Sequence, residues 1–153
     1  MTTATYEFRI RSDVPYLEKV RLWAANIARH LGFDERGVFE IEISVYEACA
    51  NVVEHAYRNA PGRFIDLALK VGDGKLTIVI EDEGGVFEAA ALRPKDIAGM
   101  IASEQNGGLG LFILEACMDE ILYRRHGGRN ILELSKYLPS AAPRRGTSHG
   151  ART

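Results

Sequence analysis

Residues 63 to 82, RFIDLALKVGDGKLTIVIED, leave the fold little freedom. Ile65, Leu67, Leu69 and Val71 alternate with other residues, and Leu76, Ile78 and Ile80 alternate again after the turn GDGK. A period of two turns one face of each segment toward a core. The Asp-Gly pair between them predicts a hairpin. A second hairpin is expected near the other end, where GGR joins EILYRRH to NILELSKYL. Hairpins commit neighbouring strands to antiparallel pairing, because parallel neighbours need a long crossover.

The remaining segments supply the covering layer. TYEFRIRS alternates Tyr6, Phe8 and Ile10 as a half-buried strand. Asp13 and Pro15 start a helix whose apolar positions run from Leu17 to Leu31, and Gly32 ends it. Asp34 can cap a second helix, where Val38, Ile41, Val45, Cys49, Val52 and Val53 hold the period for about six turns until RNAPGR breaks it. Residues 83 to 108 carry few apolar anchors beyond a weak helical stretch, RPKDIAGMIAS, and read as a lid or binding loop. LGLFILEACMDEI reads as a further helix. The order β-α-α-β-β-lid-α-β-β predicts an α/β two-layer sandwich of the α+β kind: a mixed, mainly antiparallel sheet with helices on one face.

A chain of 153 residues, 46% hydrophobic, suffices for one domain with a real core. The expected organisation is a domain over residues 1–138 and a disordered tail over 139–153, which has little apolar content. A net charge of -2 gives no global field toward nucleic acid, and Arg144, Arg145 and Arg152 read as a solvated end. Cys49 and Cys117 read as small buried residues of a reducing compartment. No signal-peptide core and no run of about 18 apolar residues occurs, so the expectation is a cytoplasmic protein without a membrane span.

Three polar clusters carry candidate chemistry. In YEACANVVEHAY, Glu47, Asn51 and His55 are spaced four residues apart and share one helix face. The row could mark a solvent face, but Glu47 and Asn51 flank the apolar stripe, where a polar group needs a partner. An amide oxygen suits Mg²⁺, and a carboxylate one turn away could orient a metal-bound water or take a hydroxyl proton. His55 reads as a packing or capping residue. In EDEGG, Asp82 keeps the parity of Leu76, Ile78 and Ile80 and so points inward, where an adenine amino group is a fitting donor; Gly84 permits close approach of a backbone or a base. Gly107, Gly108 and Gly110 precede a helix, where backbone N–H groups can converge on phosphate; the alternative is a lid hinge. The glycine loop fits neither the Walker A nor the dinucleotide-binding pattern.

Glu47-x-x-x-Asn51 on a helix, Asp82-x-Gly84 after a strand and Gly108-x-Gly110 before a helix, in that order, resemble the Bergerat ATP-binding fold. EACANVVEHAY, DEGGVFE and GGLGLFILEACMDEI are most similar to the anti-sigma factor serine-protein kinases, over about residues 5 to 138. The resemblance implies Asn51 as the Mg²⁺ ligand, Glu47 as general base, Asp82 with Gly84 as the adenine site, and Gly108 and Gly110, preceded by Gly107, as phosphate-lid glycines. There are departures. Val86 stands where many members of the wider superfamily have a second glycine, and Glu88 where Asp is frequent. Glu104, Gln105 and Asn106 precede the glycine loop where some relatives carry a basic residue; Arg93 or Lys95 could substitute.

The implied activity is transfer of the ATP γ-phosphoryl group to a serine or threonine of a small anti-sigma factor antagonist, with a second surface sequestering a sigma factor. Relatives of this kind pair, which implies a homodimer. Two alternatives stay open on sequence: a non-catalytic nucleotide-gated switch, and a histidine-kinase catalytic domain, against which the missing phospho-acceptor helix pair argues.

Overall fold

The computed structural model describes residues 4–85 and 108–139. Gly107, Val86, Glu88, residues 104–106, the stretch RPKDIAGMIAS with Arg93 and Lys95, and the tail from Ser140 lie outside the described residues.

Among the described residues five strands form one sheet: β1 (Ala4–Arg11), β2 (Phe64–Gly72), β3 (Lys75–Asp82), β4 (Glu120–His126) and β5 (Arg129–Tyr137). Their order is β1-β2-β3-β5-β4, and each neighbouring pair is antiparallel. Both expected hairpins are present. Asp73 and Gly74 take φ of 54° and 74°, and Gly127 and Gly128 take 59° and 77°. Two consecutive left-handed residues give the turn twist that matches right-handed strands, and Asp-Gly and Gly-Gly supply it cheaply.

Among the described residues three helices complete the layers: α1 (Val14–His30), α2 (Glu35–Asn51) and α3 (Gly108–Cys117). Asp34 caps α2 as expected, its carboxylate accepting the Gly37 N–H at 2.8 Å. Asp13 behaves differently. It occupies the cap position of α1 but makes no side-chain cap bond, and its carboxylate lies 3.4 Å from Arg11 Nε instead. The helix start is left to Pro15, whose fixed φ suits the first turn.

Register decides which side chains meet under the helices. Ile80 lies between Leu67 and Leu132, and Ile78 between Leu69 and Leu134. These rows pack against Leu17 and Val20 of α1, Ile41, Val45 and Cys49 of α2, and Leu111 and Leu114 of α3 in one cluster. Each fully buried Leu or Ile contributes about 1.5–3 kcal/mol. Phe8 stacks on Trp23 at 4.9 Å and ties the edge strand β1 to α1. Among the described residues no helix is long and apolar enough to cross a membrane.

The α2 segment departs from the six uniform turns expected. After Asn51 it widens into a π turn, Val52–Ala56, with the Tyr57 N–H donating to the Val52 carbonyl at 2.8 Å. Such a turn inserts an extra residue and is often found where a helix carries function. Here it directs the Ala56 carbonyl at the loop after β3, where Gly85 N–H donates to it at 3.0 Å.

Candidate functional site

The end of α2, the end of β3 and the start of α3 converge. Asn51 is 6% exposed, at the last position of α2 before the π turn. Its Nδ2 is buried and finds no hydrogen-bond partner among the described residues. A buried amide left open in this way costs free energy until something pairs with it. Asn51 lines two cavities at once. One, of about 200 Å³, is bounded by Ala48, Ile80, Leu114, Ile121 and Leu132, with Asp82, Tyr123 and Asn130 as its polar members. The other, of about 300 Å³, is bounded by Glu47, Glu54, Asn59 and Gly110. The first is an apolar slot with a few polar groups; the second is more open and mixed, lined by Leu17, Val53 and Ile113 as well as by the carboxylates of Glu47 and Glu54, so an anion there would need a cation between.

Asp82 points inward as its parity requires and is 4% exposed. Its Oδ1 accepts from Gly84 N–H at 2.8 Å and from Asn130 Nδ2 at 2.8 Å. Burial pushes the Asp82 carboxyl above the usual carboxylate range, against the pull of those two bonds and of the Arg125 and Arg129 charges. Gly84 is needed for backbone packing: a β-carbon there would meet the Ala56 carbonyl. Tyr57 holds the same loop from below. Its hydroxyl donates to the Phe64 carbonyl at 2.5 Å and accepts Glu83 N–H at 2.9 Å.

Glu47 stands one turn before Asn51 and is partly buried. Burial first, and the charge of Glu54 second, hold its carboxyl above the ordinary glutamate range. A carboxylate so placed is a better proton acceptor than a solvated one. Gly110, in the first turn of α3, comes close to both: a β-carbon on it would lie 3.1 Å from Glu47 Oε2 and 3.4 Å from Asn51 Oδ1. Gly108 begins the same helix. The structure thus brings Glu47, Asn51 and Gly110 to one cavity, with Asp82 in the next. His55 lies on the π turn and lines neither; its Nε2 has no hydrogen bond among the described residues, and Glu54 Oε2 is 3.9 Å away.

Asn130, Tyr123 and Arg125 escaped the sequence reading. Asn130 pairs directly with Asp82 across β3 and β5. The signal for it was present, since Asn130 is in phase with Leu132 and Leu134 just as Asp82 is with Ile80.

A family description, the histidine kinase-like ATPase domain, matches residues 10–136. The chain belongs to the histidine-kinase-like ATPases. Within this family it is similar to named serine-protein kinases. It is 32% identical over 138 residues to the serine-protein kinase RsbW of Halalkalibacterium halodurans, covering 88% of this chain and 83% of the relative. It is 28% identical over 136 residues to RsbW of Bacillus subtilis, covering 86% and 84%. The solved RsbU and RsbW domains of a Mycobacterium tuberculosis protein share its fold with a TM-score of 0.63 at 18% identity, over 88% of this chain. This chain spans 32% of that solved chain. The fold, the ATPase family and the protein serine kinase class expected from the three motifs are therefore borne out, and ATP is the nucleotide of the family.

Proposed function

We propose that this chain binds ATP with Mg²⁺ across the two cavities and transfers the γ-phosphoryl group to a serine of a small partner protein, an anti-sigma factor antagonist. The observation that carries the reading is Asn51: a buried amide whose Nδ2 has no partner among the described residues, at the junction of a base-sized slot and a second, more open cavity. Asp82, with Gly84 behind it, reads the adenine amino group. Asn51 Oδ1 is a hard oxygen ligand for Mg²⁺, and Gly108 and Gly110, which Gly107 precedes in the sequence, let backbone N–H groups approach the phosphates at the start of α3. When bound, the metal neutralises charge on the phosphates.

Glu47 acts on the acceptor. As the serine Oγ attacks the γ-phosphorus, a new O–P bond forms and the bond to the β–γ bridging oxygen breaks. ADP leaves with that electron pair, and the serine proton passes to Glu47. Most of the acceleration in such a transfer comes from positioning and electrostatics. The unphosphorylated antagonist competes with a sigma factor for the chain, which acts as a homodimer in the cytoplasm without touching nucleic acid or membrane.

Incubation with γ-labelled ATP and candidate antagonists tests this. Label on a partner serine is expected, and it should vanish when EDTA removes the metal. ATP-dependent partner binding without transfer would return the non-catalytic switch.

A further inference from the structure

Asn130 sits 2% exposed at the end of the row that forms the apolar slot, and its whole hydrogen-bonding capacity is engaged. Nδ2 donates to Asp82 Oδ1 and to the Gly85 carbonyl, both at 2.8 Å. Oδ1 accepts from Tyr123 hydroxyl at 2.6 Å and from Arg125 Nη1 at 2.8 Å. The amide can be oriented only one way, because its oxygen faces a guanidinium and its nitrogen faces a carboxylate. A cation at the carbonyl end polarises the amide and strengthens what its N–H groups donate at the other end. Arg125 Nη1 also reaches the Gly84 carbonyl at 3.2 Å, so the same cation holds the loop that carries Gly84.

The consequence falls on Asp82. Oδ1 is saturated by Asn130 and Gly84, and no described hydrogen bond takes Oδ2. Asn130 has no donor left over for a ligand. We propose that Asn130, polarised by Arg125, is a specificity-determining residue that fixes Asp82 as a pure acceptor and thereby selects a purine with an exocyclic amino group where guanine has an oxo group. The inference rests on the reading of the slot as a nucleotide-base site. Its physics is simple. Two donors on Oδ1 favour the ionised carboxylate and leave Oδ2 as an acceptor, which repels a carbonyl oxygen and welcomes an amino group. Without Asn130 the buried carboxyl keeps a proton more readily, since burial opposes its charge, and a protonated carboxyl can donate to an oxo group as well. Asn130 touches no reacting atom, so its role is selection through Asp82.

The test is calorimetric titration of ATP and of GTP, each with Mg²⁺, into wild type, Asn130→Ala and Arg125→Met. Arg125 is exposed, so its replacement leaves the core intact. Wild type is expected to prefer ATP. Asn130→Ala should lose about tenfold or more in ATP affinity, the worth of one charge-assisted hydrogen bond, while GTP binding changes little. Arg125→Met should move the ratio the same way by a smaller factor. Equal weakening of both nucleotides in Asn130→Ala would make Asn130 a structural residue and overturn the inference. If Asn130→Ala fails to fold, an unchanged ATP:GTP ratio in Arg125→Met overturns it alone. Wild type that binds neither nucleotide would defeat the nucleotide reading itself, a result distinct from selective wild type with selective variants.

Discussion

A β-carbon added to Gly84 would lie 2.5 Å from the carbonyl oxygen of Ala56. The loop after β3 is thus keyed into the π turn after α2, with no room for a side chain between them. This contact fixes the distance between Asp82 on one element and Asn51 on the other. Neither segment could set that distance by itself.

Gly84→Ala should therefore force the loop away from Ala56 and break the 3.0 Å bond from Gly85 N–H. Overpacking of this kind costs about 1–3 kcal/mol. Urea unfolding should show that loss, and ATP affinity should fall with it. A variant as stable as wild type would show that the two backbones can part at no cost.

Gly110→Ala has a gentler outcome. The added methyl would come 3.1 Å from Glu47 Oε2, the end of a side chain that can swing. The protein should fold normally. Phosphoryl transfer should slow by about one to two orders of magnitude, as a small displacement of a proton acceptor does, while ATP affinity changes less. Single-turnover kinetics beside equilibrium titration would separate the two effects.

Glu47→Gln separates stability from activity. The folded protein holds this carboxyl above its unfolded value, through burial and then Glu54. Ionisation is therefore disfavoured in the folded state, and stability falls as pH rises past the unfolded value. Gln removes that charge. In nucleotide-free protein the variant should melt at a higher temperature than wild type at neutral pH, and the gap should close as pH drops through the carboxylate range. Transfer to the partner serine should fall about 10²- to 10⁴-fold. Equal melting temperatures at neutral pH would deny the raised ionisation.

Asn51→Ala tests the metal. Mg²⁺ should tighten ATP binding to wild type and leave the variant's affinity unchanged. The buried Nδ2 has no described partner to lose, so unfolding free energy should stay within about 1 kcal/mol of wild type. Identical Mg²⁺ dependence in both proteins would remove Asn51 as the ligand.

Much of this was legible in the chain. Alternation and turn chemistry gave both hairpins, and parity alone turned Asp82 toward the core beside Ile80. The same parity rule applied to Asn130 would have found the second polar residue of the slot, but an Asn after Gly-Gly-Arg looked like part of the turn. Asp13 looked like a cap and pairs with Arg11 instead. A local pattern states which residue types are able to cap, and neighbouring charges decide which one does.

Periodicity along one segment settles which face of that segment is buried, since side-chain direction repeats with the backbone. It therefore determined the strands, the helices and the inward aim of Asp82. Which groups those buried side chains meet was decided by the tertiary structure. The register of β3 on β5 set Asn130 opposite Asp82, and α3 carried Gly110 up to Glu47. The π turn set Ala56 against Gly84. Those contacts join residues 28 to 63 positions apart, and no local repeat encodes a distance between separate segments.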